Sequence, residues 1–373
     1  MDQTAAFFPQ LKGKSMKMKK RHLGIVPKFV AATVIGVAAA LGSAALMAEP
    51  QKPKAADYMT PDAEDMAMFS RPAKVPQPAG NITTPERVEL GRQLFFDPRL
   101  SGSNFISCAT CHNPALGWSD GQRTAIGHGM QVLGRATPTI LNTAYQRAQF
   151  WDGRAATLEE QALGPIVAAG EMNQPLDELV NELNAIPGYV SSFASAYPGE
   201  KITPQTIAKA IAAFERTIIA GESRFDRWLA GAEGAMSKEE LWGFVVFKGK
   251  GNCTACHSGH NFADDKFHNI GLKGEDNPGR FAIDPNPALK GAFKTPTLRD
   301  VALTAPYMHN GAHATLEEVV DHYNEGGFKN GGTPSEEMKP LNLSKEDKRA
   351  LVAFLKTLTG DPVAITVPRL PVK

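Results

Sequence analysis

At 373 residues the chain has room for about two domains. Its formal net charge of +1 supplies no strong field for holding nucleic acid or a membrane surface. The 34 glycines and 27 prolines imply short helices separated by long loops, and no alternating strand pattern of any length appears, so a mainly α fold is predicted.

In chain order, residues 1–48 read as a secretory signal peptide. Lys17, Lys19, Lys20, Arg21 and Lys28 form a basic region, Phe29 to Met47 is apolar, and Ala45-Leu46-Met47-Ala48 offers small-residue cleavage points. Met16 and Met18 are alternative starts. The apolar run is nearly long enough to span a bilayer, so an uncleaved anchor is the alternative. Either way the rest of the chain is expected in a bacterial periplasm. Residues 49–83, rich in Pro, Ala and Lys, read as an extended arm or linker, with Met59, Met66 and Met68 as flexible packing.

Thr84-Pro85-Glu86 opens a helix, with Thr as N-cap and Pro in the first turn. Beyond it stands Cys108-Ala109-Thr110-Cys111-His112, and later Cys253-Thr254-Ala255-Cys256-His257; together they use all 4 cysteines. A structural zinc site needs four ligands, and each cluster offers three. A redox disulfide has no need of the following histidine. The pattern fits covalent attachment of two haem c groups, with thioethers at each cysteine pair and His112 and His257 as proximal iron ligands.

The chain repeats itself. Thr137-Pro138-Thr139 recurs as Thr295-Pro296-Thr297, Gly153 as Gly311, and Ala156 to Glu160 as Ala314 to Glu318, at a constant offset of 158. Two tandem cytochrome c-like haem domains with long loops follow, at 84–222 and 223–362, with a tail at 363–373. Thr203-Pro204 opens a helix with Ile207, Ile211, Phe214 and Ile218 on one face, closed by Gly221. Ser237 to Glu240 is a capping box that opens another. Ser344 opens a third, carrying Leu351, Phe354, Leu355 and Leu358 and closed by Gly360. Thr157 with Glu160, and Thr315 with Glu318, are also capping boxes. The second of these helices runs through Leu316, Val319, Val320 and Tyr323 to Gly326-Gly327; the first is expected to stop at Gly164-Pro165. The offset sets Pro165 opposite Tyr323. If these helix ends lie over the two irons, proline leaves one open and the tyrosine phenol can close the other; the alternative is that Tyr323 packs with Val319 and Val320.

Phe150-Trp151-Asp152-Gly153-Arg154, Gly164-Pro165-Ile166, Glu171-Met172 and Leu303-Thr304-Ala305-Pro306-Tyr307 resemble the diheme bacterial cytochrome c peroxidases and their MauG relatives, over nearly all of 84–360. The resemblance implies that the first haem reacts with H2O2 and the second is its low-spin electron-transfer partner. It places Trp151 between the haems and Gln161 and Glu171 in the peroxide pocket, with Glu171 moving the proton. His128 matches a loop histidine that closes the first haem in resting peroxidases. Position 323 is usually methionine; tyrosine is the MauG-type choice, with Met308, Met338 and His322 as rival ligands. Thr304 and Pro306 match backbone calcium ligands, while Ala136 stands where the family has an asparagine for that ion. The implied function is H2O2-dependent oxidation of a substrate protein or other donor. The alternatives are a peroxidase fed by a small cytochrome c and a non-enzymatic diheme electron carrier.

Overall fold

The computed structural model describes residues 58–274, 277–329 and 333–372; the expected signal segment lies outside them. Among the described residues the only paired strands are β1 (Phe267–His268) and β2 (Phe293–Lys294), two antiparallel residues each. The remaining regular structure is helical, as the composition predicts.

The arm is not extended throughout. The Asp62 carboxylate accepts from the Asp65 N–H at 2.7 Å and starts α1 (Ala63–Phe69). Next come α2 (Pro85–Phe96), capped by Thr84, and α3 (Cys108–Cys111), the single turn of the first motif. Then follow α4 (Leu158–Val167), α5 (Leu176–Asn184), α6 (Pro187–Ala196), α7 (Pro204–Glu215), α8 (Arg224–Leu229), α9 (Lys238–Lys248), α10 (Leu316–Glu325) and α11 (Lys345–Thr357).

Three expected details change. The helix α4 continues past Gly164-Pro165 to Val167, because Pro165 falls in the last turn, where its missing N–H removes one bond and Ala168 N–H still reaches the Gly164 carbonyl at 3.1 Å. The helix α7 stops at Glu215, before Ile218 and Gly221. There Thr217 turns its hydroxyl back to the Phe214 carbonyl at 2.7 Å and begins a β-branched run. At α4 and α10 the threonine caps as expected, but Glu160 and Glu318 reach one residue further out, to the Ala156 and Ala314 N–H groups, at 2.8 and 2.6 Å.

Buried apolar side chains form two clusters. One is drawn from Leu90 to Ala220 and the other from Phe225 to Leu358, with Phe69 of α1 inserted into it. Phe69 is fully buried, stacked 4.8 Å from Phe262 and edge-on to Phe225 and Phe244. At the other end of the chain Val363 and Ile365 pack on the first cluster, and Arg99 donates to the Pro371 carbonyl at 3.0 Å. The two termini therefore cross: the N-terminal arm serves the second cluster and the C-terminal tail the first.

The duplication extends to the backbone. The helices α4 and α10 begin 158 residues apart. Left-handed residues recur at the same offset: Asn142 and Asp300 (φ 62° and 59°), Phe150 and Met308 (68° and 73°). The repeats also exchange hydrogen bonds reciprocally. Ala136 N–H donates to the His309 carbonyl at 2.8 Å, and Lys294 N–H, 158 residues after Ala136, donates to the Trp151 carbonyl at 2.8 Å.

Candidate functional site

Each cysteine motif winds through one tight turn. His112 N–H bonds the Cys108 carbonyl and His257 N–H the Cys253 carbonyl, both at 2.8 Å, so each histidine closes the turn that its own cysteine pair begins. The next residues then orient the rings. Trp118 and Phe262 take left-handed φ values of 61° and 52°, strained for aromatic side chains. Each turns its carbonyl onto an imidazole Nδ1, at 3.2 Å for His112 and 2.8 Å for His257. That bond fixes the tautomer and reserves Nε2 for a metal. Burial holds both histidines below their usual pKa, which favours the neutral imidazole.

Both motifs open into one cavity of about 570 Å³, whose lining includes Cys108, Cys111, His112, Cys253, Cys256 and His257. No disulfide joins the four thiols. Desolvation raises the Cys108 thiol, the Cys111 thiol to about 11 and the Cys253 thiol to about 12, so these half-buried groups are thiols rather than thiolates. Paired thiols, a neutral tethered imidazole and a largely apolar cavity at each motif fit a covalently held haem.

Pro165, Gln161, Glu171, Trp151 and Tyr323 all line this cavity. Pro165 and Tyr323 occupy matching places on α4 and α10. Glu171 is half-buried, and its carboxyl rises above the usual range through desolvation, opposed by the Arg154 charge. Burial also raises the Tyr323 phenol, with the Cys256 and Cys253 sulfurs nearby adding to the shift. Trp151 donates its indole N–H to the Ala136 carbonyl at 2.8 Å. Met308, Met338, Thr304 and Pro306 lie on the same lining. His322 does not; its Nε2 meets the Ile270 carbonyl at 2.8 Å. The His128 ring is also outside the lining, and its backbone N–H is held by the carbonyls of Gly170 and Glu171, at 3.0 and 2.8 Å.

Sequence reasoning passed over several lining residues. Glu215, at the end of α7, is buried and raised to about 8 by desolvation. Lys294, nine-tenths buried or more, is lowered to about 8 by desolvation and donates to Gln146 Oε1 at 3.1 Å. His268 bonds Asp264 at 2.8 Å beside Cys256, and that bond raises it to about 10. His309, buried against Phe293, is lowered to about 3 by burial and the Arg135 charge. Only His309 had a usable signal: the offset of 158 maps it onto Trp151.

A family model described as "Di-haem cytochrome c peroxidase" matches residues 85–234. The methylamine utilization protein MauG of Methylorubrum extorquens is 51% identical over 308 residues, which cover 82% of this chain and 87% of that protein. The chain belongs to the di-haem cytochrome c peroxidase family. The family also includes the cytochrome c551 peroxidase of Nitrosomonas europaea, 40% identical over 296 residues, 77% of this chain and 85% of that one. A solved MauG-like protein associated with microbial copper homeostasis superposes with a TM-score of 0.72 at 34% identity, covering 78% of this chain and 95% of that one. Di-haem peroxidase membership brings two haem c groups and an oxidoreductase that acts with peroxide. No helix among the described residues is long and apolar enough to cross a membrane.

Proposed function

We propose that the chain is an exported, periplasmic MauG-type enzyme that uses H2O2 to oxidise a substrate protein or other donor at a distance. Cys108, Cys111 and His112 would hold one haem in a domain spanning 84–222, and Cys253, Cys256 and His257 the other in a domain spanning 223–362. The observation that carries the reading is the unequal pair on one cavity: Pro165 offers no ligand atom, and Tyr323, at the matching place, offers a phenol oxygen.

The bound haems supply the electron exchange with peroxide. The chain does the rest. His112 and His257 present Nε2, each held from behind by a carbonyl. Glu171 carries a proton from one peroxide oxygen to the other, and Gln161 orients the substrate. Desolvation raises the Glu171 carboxyl above its usual range, which makes its carboxylate a stronger proton acceptor. Trp151 passes an electron between the two sites. Tyr323 would hold the second haem's iron as a phenolate, giving up its buried proton, and an anionic oxygen there would favour higher oxidation states over ready reduction by a small cytochrome. His128 is the loop residue that can approach the first site from beside Glu171. Thr304 and Pro306 carbonyls are the calcium candidates. Ala136 adds no side-chain ligand, and its carbonyl already receives the Trp151 indole.

The Nitrosomonas relative supports a second reading, an H2O2-detoxifying peroxidase fed by a small cytochrome c. A non-enzymatic carrier is the third. EPR and optical spectra of the diferric protein, before and after one equivalent of H2O2, separate them. The MauG-type reading expects one high-spin and one His/Tyr low-spin signal and a long-lived state holding two oxidising equivalents. Fast turnover with reduced cytochrome c after prior half-reduction would replace it with the second reading. Inertness to peroxide leaves the carrier. A Tyr323→Phe variant with an unchanged low-spin spectrum removes tyrosine as a ligand.

A further inference from the structure

The offset of 158 maps Trp151 onto His309, and the fold brings these two equivalent residues together. Their rings lie 6.2 Å apart at 66°, both on the cavity that the two motifs share. The reciprocal bonds flank them: Ala136 N–H to the His309 carbonyl, and Lys294 N–H to the Trp151 carbonyl. Ala136 also takes the indole N–H, so the same short segment ties both residues. On its other face His309 stacks on Phe293 at 3.5 Å, and the Arg135 guanidinium lies over that phenyl ring at 4.5 Å. His309 is 3% exposed.

We infer that His309 is a positioning residue for Trp151, a buried ring packed where the two repeats exchange hydrogen bonds, which holds the indole still. The inference rests on the reading of Trp151 as the electron path. One electron passes from the second site to the first through the indole, which gives it and regains it; no bond is made or broken, and the Ala136 carbonyl keeps the N–H proton in place. A positive charge 6.2 Å from the indole opposes its transient oxidation. At an effective dielectric of about 20, Coulomb's law makes that oxidation about a hundredfold less favourable. Burial and the Arg135 charge both disfavour protonation of His309, so the ring adds no charge of its own beside the indole.

The test uses the two-haem protein. After one equivalent of H2O2, rapid-freeze EPR follows how fast the oxidising equivalents spread over both haems, and indole N–H exchange reports how firmly Trp151 is held. His309→Phe, neutral and aromatic, is expected to keep both within about twofold of the parent. His309→Arg is expected to slow the spreading about a hundredfold. His309→Ala is expected to speed Trp151 exchange and slow the spreading. If His309→Ala leaves both unchanged, the inference is overturned whether or not the arginine variant folds. A Trp151→Phe control that spreads its equivalents normally sinks the electron path instead, and the exchange readout then still decides whether His309 holds the indole.

Discussion

Glu215 shows how one residue's neighbours set its chemistry. It is followed by Arg216, which in sequence looks like its natural counter-ion. The fold turns Arg216 to Glu159 instead, at 2.8 Å, and leaves the Glu215 Oε2 buried without a hydrogen bond. Desolvation then lifts the carboxyl from 4.5 to about 8, only partly offset by the Arg216 charge. The folded chain therefore keeps a proton that the unfolded chain releases, so stability falls as pH rises from about 4.5 to about 8. Glu215→Gln is expected to flatten that fall and to exceed the parent at pH 8 by up to a few kcal/mol. Urea midpoints of the two-haem protein at pH 5 and pH 8 measure it; parallel slopes for parent and variant would refute the assignment. The two motifs, Pro165, Tyr323, Glu171 and Trp151 all line the one cavity. The motifs were legible from their own residues, Pro165 and Tyr323 through the offset of 158, and Glu171 and Trp151 only through the family resemblance. Glu215 was not, because its state depends on where a neighbour 57 positions away from Arg216 lies.

Helix elements repeat the contrast. Their starts were readable, because a cap is a contact over three residues: Thr84, Thr203, Ser237 and Ser344 each cap the predicted helix. Ends were less so. The tertiary seat of Ile218 lies beyond α7, and Pro165 is tolerated inside α4 because it needs to forgo only one bond. The pair α5 and α6 went unread, although Leu176, Leu179, Val180 and Leu183 carry a helical spacing. One glycine in each half sets how closely its helices cross. A methyl on Gly91 of α2 would strike the Ala210 carbonyl of α7, and one on Gly243 of α9 the Ala350 carbonyl of α11. Gly243→Ala is therefore expected to lower stability by about 1–3 kcal/mol, despite the better helix propensity of alanine. Gly80→Ala, with open space around it, is the neutral control. Equal melting temperatures for the two variants would show that the crossing has room to spare.

At the scale of the whole molecule the termini matter most. The arm begun by Asp62 delivers Phe69 to the second cluster, and Lys248 pairs with Asp65 to pin it. The tail brings Val363 and Ile365 to the first. Phe69→Ala is expected to cost about 3–5 kcal/mol, with the loss seen at the second motif's haem. Thermal melts followed at each haem's own absorption would reveal it, and an unchanged second transition would argue against the arm as part of that core. The composition of 49–83 spoke of a linker, since a single buried phenylalanine leaves no periodic trace. The crossing also sets an order in time. Phe69 leaves the ribosome well before Phe225, Phe244 and Phe262, the rings that make its seat. That segment has to wait until the chain has been made as far as residue 262. Locking it in place therefore comes only after both cysteine motifs, at 108–112 and 253–257, have been made.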